Sequence, residues 1–188
     1  MKGTFEDAVI FAANAHSGAK RKGKDRAYIL HPLEVAMIVS TLTTDEAVLS
    51  AAVLHDTVED TPTTREDIAR TFGEDVARLV AAESENKREN LPAASTWQIR
   101  KQETIDHLRF ADRNTRLICL GDKLANLREI ARDYKKSGDD IWQRFNQKDK
   151  GMHGWYYRSI FEILEKEFGS VPPIEEYRAL LIQVFGEQ

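Results

Sequence analysis

Apolar residues recur along most of this chain with the three- to four-residue spacing of amphipathic helices. The first stripe follows Thr4, which resembles the start of a capping box with Asp7, and a later one follows Pro32, a residue suited to a first helical turn. The spacing predicts helices over residues 4–18, 32–42, 45–60, 64–71, 74–84, 97–111, 114–132, 139–146, 152–168 and 173–185. The pattern therefore predicts an all-α fold.

The remaining segments are polar and short. Residues 18–30 and 85–96 are predicted to be loops, and residues 116–120 alone would also suit a strand. A helix is preferred there because the leucine spacing continues through Leu124 and Leu127. Since the sequence shows neither an internal repeat nor a long linker, residues 1–188 are predicted to form one compact single-domain helical bundle.

Composition narrows the class of protein without indicating its chemistry. The chain is 41% hydrophobic and 31% charged, and it has no apolar run near the roughly 18 residues of a membrane span. Acidic residues precede the first apolar stretch, which is unlike a signal peptide, and the single Cys119 fits a reducing compartment. A formal net charge of -4 argues against broad nucleic-acid binding. We therefore expect a cytoplasmic protein that binds neither membrane nor nucleic acid.

The segment 51–60 carries the strongest chemical signal. On a helix His55 faces Glu59 one turn later, and Asp56 faces Asp60, while the same face continues back to apolar Val48. Three carboxylates and an imidazole on a half-buried face are costly without a cation, and the acids also oppose the helix dipole. The pattern indicates a metal site, although a solvated helix end with acids near a turn would show the same residues.

Two more residues are candidate ligands. His31 directly precedes Pro32, where a histidine can also cap a helix or form a hydrogen bond in the core. Asp122 flanks the leucine stripe of a later predicted helix, and an acid beside a core stripe requires a partner.

The order of these residues resembles that of the HD-domain phosphohydrolases. Within them, the chain is similar to the hydrolase domain of the RelA/SpoT type, whose short members are the small alarmone hydrolases. The matching blocks span roughly residues 8–130. They are Ala15-His16-Ser17-Gly18, Arg21-Lys22, Tyr28-Ile29-Leu30-His31-Pro32, the segment 54–61, Phe72-Gly73 and Asp122-Lys123-Leu124-Ala125-Asn126-Leu127.

The resemblance implies a metal-dependent mechanism. It assigns one divalent cation to four ligands, which are His31, His55, Asp56 and Asp122. Manganese is usual in the family, although zinc tolerates the same donors. The cation would lower the pKa of a water and polarise a phosphoryl oxygen, while Glu59 and Asp60 position and activate the nucleophile.

The implied reaction removes the 3′-pyrophosphate of guanosine tetra- and pentaphosphate and leaves GDP or GTP. The resemblance assigns substrate contacts to Arg21, Lys22, Tyr28, Lys101 and Asn126. Arg21 and Lys22 lie in the basic stretch 20–26, which would also suit a solvated loop. Arginine can both stack on a base and clamp a phosphate.

Two alternatives remain open. The same metal site could serve an NADPH 2′-phosphatase or an adenine alarmone hydrolase, or the chain could be a catalytically silent nucleotide-binding domain. Residues 139–157 depart from the family pattern. Their candidates for the nucleoside end are Arg144, Lys148, Lys150, His153 and Tyr156, whereas the neighbouring aromatic residues are equally suited to core packing.

Overall fold

The structure is a computed structural model that describes residues 2–85, 88 and 90–187. Its α-helices are α1 (Phe5–Ala15), α2 (Leu30–Val39), α3 (Glu46–Leu54), α4 (Thr57–Asp60), α5 (Arg65–Phe72), α6 (Glu74–Glu83), α7 (Ala93–Phe110), α8 (Arg113–Ser137), α9 (Lys150–Phe168) and α10 (Pro172–Phe185). A 3-10 helix covers Gly138–Arg144. Within the described ranges the only strand-like pairing is an isolated bridge between Lys20 and Ala27. The prediction of an all-α fold is confirmed.

Contacts group the described residues into two units. The first holds the described residues up to Ser84 together with Arg113–Ala125, and the second holds those of Glu85–Asp112 and from Asn126 onward. The assignment of residues 1–188 to a single domain stays a prediction. No helix in the described part of the chain combines the length and the apolar character that a membrane crossing requires.

Helix α3 lies at the centre of the first unit. It packs against α1, α2 and α6, and α6 also contacts α4 and α5. Val48, Ala51, Val53 and Leu54 of α3 are fully buried. Each large apolar side chain buried in this way contributes about 1.5–3 kcal/mol, and the small alanine lets neighbouring helices approach. The end of α3 is thereby held in a rigid core.

Local capping fixes where several helices start. Thr4 and Asp7 form the expected capping box at α1, and Thr64 forms a second one with Asp67 at α5. Gly73 separates α5 from α6 with a φ of 95°, a left-handed conformation that glycine adopts without steric cost. These caps account for helix boundaries that sequence periodicity leaves open.

The predicted continuous helix over residues 45–60 is wrong, because α3 ends at Leu54 and α4 begins only at Thr57. Side chains compete for the backbone carbonyls at this point. Thr57 Oγ1 donates to the Leu54 carbonyl at 2.6 Å, and His55 Nδ1 lies 2.9 Å from the Ala52 carbonyl. The chain turns at His55 and Asp56 before it resumes as α4.

The start of α7 and the segment after α8 also differ from the prediction. Helix α7 starts at Ala93, directly after Pro92, so its first residues belong to the predicted loop 85–96. Residues 86, 87 and 89 of that loop lie outside the described residues. The segment predicted as a helix over 139–146 is the 3-10 helix Gly138–Arg144. In this short element the side-chain carboxylate of Asp139 accepts a hydrogen bond from Trp142 Nε1 at 3.1 Å.

The second unit has its own core, in which α9 packs against α7 and α10. Trp142 is buried and stacks on His153, with ring centroids 4.9 Å apart, while Trp155 stays half-buried. Packing therefore accounts for Trp142 and His153. Of the other candidates for the nucleoside end, Arg144 pairs with Asp133.

Candidate metal centre

The first unit brings together all four residues predicted as metal ligands. His31 lies on α2, His55 and Asp56 lie in the turn between α3 and α4, and Asp122 lies on α8. His31 Nε2 is 3.1 Å from Asp122 Oδ1, and His55 Nε2 is 3.1 Å from Asp56 Oδ2. The two cross pairings each measure 3.7 Å. Both imidazoles are buried, so the four groups face one another in a site with little access to solvent.

His55 and Asp56 are consecutive in the chain, and their side chains meet in the cluster. Adjacent side chains of a helix diverge by about 100°. Both residues keep right-handed helical dihedrals in the turn after α3, and His55 Nε2 still lies 3.1 Å from Asp56 Oδ2. The error in the predicted helix therefore falls on two residues of the cluster.

Close packing of α8 on α2 brings Asp122 to His31. A Cβ atom added at Gly121 would lie 2.8 Å from Val39 Cγ2 and 3.1 Å from the Val35 carbonyl oxygen. Real Cβ atoms do not tolerate such contacts, so only glycine permits this approach. The residue before Asp122 thus sets the distance between two elements of the cluster.

The donor atoms fit a divalent cation. His55 Nδ1 lies 2.9 Å from the Ala52 carbonyl, which can only accept a hydrogen bond, so this nitrogen carries the proton. His55 Nε2 faces the other three groups, and it is buried without a hydrogen-bond partner. A metal-ligating histidine is typically held by a carbonyl in this way. Two imidazoles and two carboxylates make a mixed nitrogen and oxygen set suited to a divalent transition metal.

The same groups strongly perturb one another's ionisation. Burial lowers the pKa of His55, but Asp56 and Asp122 outweigh burial and raise it well above its usual range. Burial raises the pKa of Asp56, yet the two histidines reverse this and bring it well below its usual range. The pKa of Asp122 is also well below its usual range, because Lys123 and the histidines outweigh burial. Both carboxylates are therefore ionised and available to a cation.

Tyr28 connects the cluster to the predicted catalytic pair. Its hydroxyl oxygen lies 2.6 Å from Asp56 Oδ2 and 2.9 Å from Asp60 Oδ2, and it shares its one proton between the two carboxylates. Burial and the two carboxylates raise the pKa of Tyr28 far above its usual range, so the hydroxyl keeps its proton. Asp60 is exposed and Glu59 is half-buried, and both lie on α4 directly after the turn.

The basic loop forms a compact hairpin-like turn beside Tyr28. The Arg21 backbone N–H donates to the Arg26 carbonyl, and that of Tyr28 donates to the Ala19 carbonyl, each at 2.9 Å. The Arg21 guanidinium carbon lies 5.4 Å from the centroid of the Tyr28 ring, within the range of a cation–π contact. Lys22 is exposed. The structure thus places Arg21 and Tyr28 together and leaves Lys22 at the surface.

The other two predicted substrate residues belong to the second unit. Lys101 donates to the Glu85 carboxylate at 2.6 Å, and its Nζ lies 4.9 Å from the centroid of the Tyr156 ring. Asn126 is half-buried on α8.

Sequence reasoning missed two charged residues near the centre. Lys123 pairs with Asp122, and Glu83 ends α6, the helix that packs against both α3 and α4. Burial raises the pKa of Glu83 to about 7, although Lys123 opposes this. The sequence signal for Glu83 was its place at the C-terminal end of α6, where the helix dipole disfavours negative charge.

Replacing Glu83 with glutamine should change how stability depends on pH. A carboxyl group whose pKa is higher in the folded than in the unfolded state stabilises the fold fully at pH values below its unfolded-state pKa. This contribution to the free energy of unfolding is lost as the pH rises through 7. We therefore expect the free energy of unfolding of Glu83→Gln, relative to that of the wild type, to increase by about 2 kcal/mol between pH 4.5 and pH 8. It is measured by urea unfolding of chelator-treated protein. Glu66→Gln, at an exposed site on α5, controls for general charge removal. Parallel pH profiles for Glu83→Gln and the wild type would contradict the raised pKa.

Comparison with known proteins agrees with this geometry. The family model described as HD domain matches residues 8–152, a range that includes all four residues predicted as ligands. The chain belongs to the HD-domain family. This HD-domain protein is 43% identical over 129 residues to the guanosine-3′,5′-bis(diphosphate) 3′-pyrophosphohydrolase MESH1 of Xenopus tropicalis, covering 67% of this chain and 69% of that protein. It is 40% identical over 129 residues to MESH1 of Danio rerio, covering 67% of this chain and 68% of that protein.

Solved structures support the HD-domain fold over almost the whole chain. A metazoan ortholog of SpoT, described as hydrolysing ppGpp, superimposes with a TM-score of 0.76 at 28% identity, covering 97% of this chain and 96% of that one. A protein from Listeria monocytogenes EGD-e matches with a TM-score of 0.70 at 32% identity, covering 89% of this chain and all of that one. The prediction of an HD-domain fold of the small alarmone hydrolase type is confirmed.

Proposed function

We propose that this HD-domain protein hydrolyses guanosine tetra- and pentaphosphate, removing the 3′-pyrophosphate and leaving GDP or GTP. The observation that carries the proposal is the buried cluster of two histidines and two aspartates, in which His55 Nε2 is buried without a hydrogen-bond partner. The Xenopus tropicalis and Danio rerio relatives, which are named as hydrolases of this substrate, support the choice of nucleotide.

The four clustered side chains would hold one divalent cation, and we assign manganese. They are His31, His55, Asp56 and Asp122. When bound, such a cation supplies Lewis acidity that polarises a phosphoryl oxygen and makes a water easier to deprotonate. The two ionised aspartates supply negative charge for the cation, and the Ala52 carbonyl keeps His55 in the tautomer that ligation requires.

Glu59 and Asp60 act on the attacking water. Water attacks the phosphorus bonded to the ribose 3′ oxygen, the bond between these two atoms breaks, and pyrophosphate leaves. Glu59 accepts a proton from the water, and the 3′ oxygen gains a proton to become a hydroxyl group. The Tyr28 hydroxyl shares its one proton between the Asp60 carboxylate at 2.9 Å and the Asp56 carboxylate at 2.6 Å, and so orients both.

Cationic side chains receive the nucleotide. Arg21, held 5.4 Å from the Tyr28 ring centroid, offers a planar guanidinium that can stack on the base or clamp a phosphate. Lys22 and Lys101 add positive charge for the phosphates, and Asn126 supplies an amide hydrogen-bonding group. We further propose a cytoplasmic location and no role for nucleic acid, in keeping with the acidic chain and its single buried cysteine.

Purified protein with manganese should release pyrophosphate from guanosine tetraphosphate, with GDP as the nucleotide product. Both products can be followed by anion-exchange chromatography, and chelator should abolish their formation. The same assay with NADPH tests the alternative of a 2′-phosphatase. Release of orthophosphate from NADPH, with no turnover of guanosine tetraphosphate, would overturn the proposal.

A further inference from the structure

The Glu85 carboxylate gathers three donors from α7 in the second unit. Oε1 accepts from Lys101 Nζ at 2.6 Å and from Thr104 Oγ1 at 3.2 Å, while Oε2 accepts from Arg100 Nη1 at 2.9 Å. The Glu85, Arg100 and Lys101 side chains are each less than one-fifth exposed, unlike most surface ion pairs. We propose that Glu85 is a positioning residue that holds the Lys101 ammonium in place for an anionic substrate. This rests on the proposed function, in which Lys101 contacts a phosphate.

The ammonium of Lys101 is fixed by two different kinds of partner. The Glu85 carboxylate binds it at 2.6 Å, and the Tyr156 ring centroid lies 4.9 Å from Nζ. A free lysine side chain carries about 2 kcal/mol of rotamer entropy that is lost when it is immobilised on a ligand. Because Glu85 and Tyr156 already restrain the chain, a phosphate that binds Lys101 does not have to order it.

Glu85 also reduces the electrostatic repulsion between two adjacent cations. Arg100 and Lys101 are neighbours on α7, and both are largely shielded from water, which strengthens their repulsion. One shared carboxylate neutralises half of this charge and leaves a net positive site. Thr104 in turn fixes the carboxylate, since its hydroxyl contacts both Glu85 Oε1 and the Arg100 carbonyl, at 3.2 and 3.1 Å. Without Glu85, repulsion from Arg100 moves Lys101 away from its ordered position.

A double-mutant cycle separates positioning from simple charge removal. Glu85→Ala should raise KM for guanosine tetraphosphate about tenfold and leave kcat within about twofold, because only binding of the anion is impaired. Adding Glu85→Ala to Lys101→Ala should raise KM no further, since Glu85 acts through Lys101. Glu85→Gln should raise KM only two- to threefold, as its amide oxygen still accepts from Nζ.

The matched control is Glu103→Ala, which also removes one negative charge. Glu103 lies on α7 but pairs with Arg88, whereas Glu85 pairs with Lys101. Its KM should equal that of the wild type. Additive effects in the cycle, or a lower KM in Glu85→Ala, would overturn the positioning role and identify Glu85 as a competing anion. If Glu85→Ala fails to fold, the cycle is run with Glu85→Gln, where additivity has the same meaning.

Affinity for inorganic pyrophosphate, measured by calorimetry on chelator-treated protein, tests Glu85 without turnover. Lys101→Ala should weaken this binding, and Glu85→Ala should weaken it only when Lys101 is present. If Glu85→Ala weakens pyrophosphate binding equally with and without Lys101, or has no effect, the positioning role is overturned even when the protein hydrolyses guanosine tetraphosphate. If the effect depends on Lys101 but no guanosine tetraphosphate is hydrolysed, the proposed function is refuted and the positioning role is supported.

Discussion

Asp56→Ala should purify without its cation and lose roughly 10³-fold or more in kcat/KM toward guanosine tetraphosphate. Asp56 Oδ2 lies 3.1 Å from His55 Nε2 and also accepts a hydrogen bond from Tyr28, so its removal takes away a proposed ligand and a hydrogen-bond partner of the tyrosine. Metal content is measured by elemental analysis after dialysis against manganese. Asp75→Ala, at an exposed position on α6, controls for loss of one carboxylate and should retain both metal and activity. A full complement of metal in Asp56→Ala would contradict the assigned ligand set.

Glu59→Gln should keep the cation and lower kcat by about 10²- to 10⁴-fold, the range that general acid–base groups contribute. Glu59 lies on α4, after the turn that carries His55 and Asp56, two of the four proposed ligands. Glutamine preserves its size but cannot accept the proton from water. KM should stay within about threefold of the wild type, because binding relies on other residues.

The two variants together separate ligation from proton transfer. Loss of metal in both would make Glu59 a ligand, and wild-type turnover in Glu59→Gln would remove it from the reaction. Elemental analysis and initial rates on the same preparations distinguish these results. The expected pattern, metal lost in one variant and retained in the other, would assign Asp56 to ligation and Glu59 to proton transfer.

Much of the fold followed from the sequence because helical periodicity and capping are local. The Thr4 capping box and the leucine stripe of α8 needed no information from elsewhere in the chain. For the candidate metal site, the polar face of residues 55–60 indicated a cation, and the set of four residues then followed from their order in a family pattern. Their proximity in space could not be derived from spacing, since they come from α2, α8 and the turn after α3.

Periodicity could not detect the turn at His55 and Asp56. Polar residues one turn apart fit a continuous helix equally well, and the outcome was decided by hydrogen bonds from Thr57 and His55 side chains to backbone carbonyls. Glu83 and Glu85 were missed because their importance depends on which charges the folded chain places around them. Such tertiary contacts leave no periodic signal in the sequence.

The contact between Gly121 and the two valines of α2 bears on which ion the proposed site would select. Divalent ions differ in ionic radius by a few tenths of an ångström, and the gap between His31 and Asp122 is fixed by how closely α8 approaches Val35 and Val39. Apolar atoms that would not touch the ion therefore set the size of the space that it would occupy. Ion selectivity would then depend on hydrocarbon packing as well as on the chemistry of the proposed ligands.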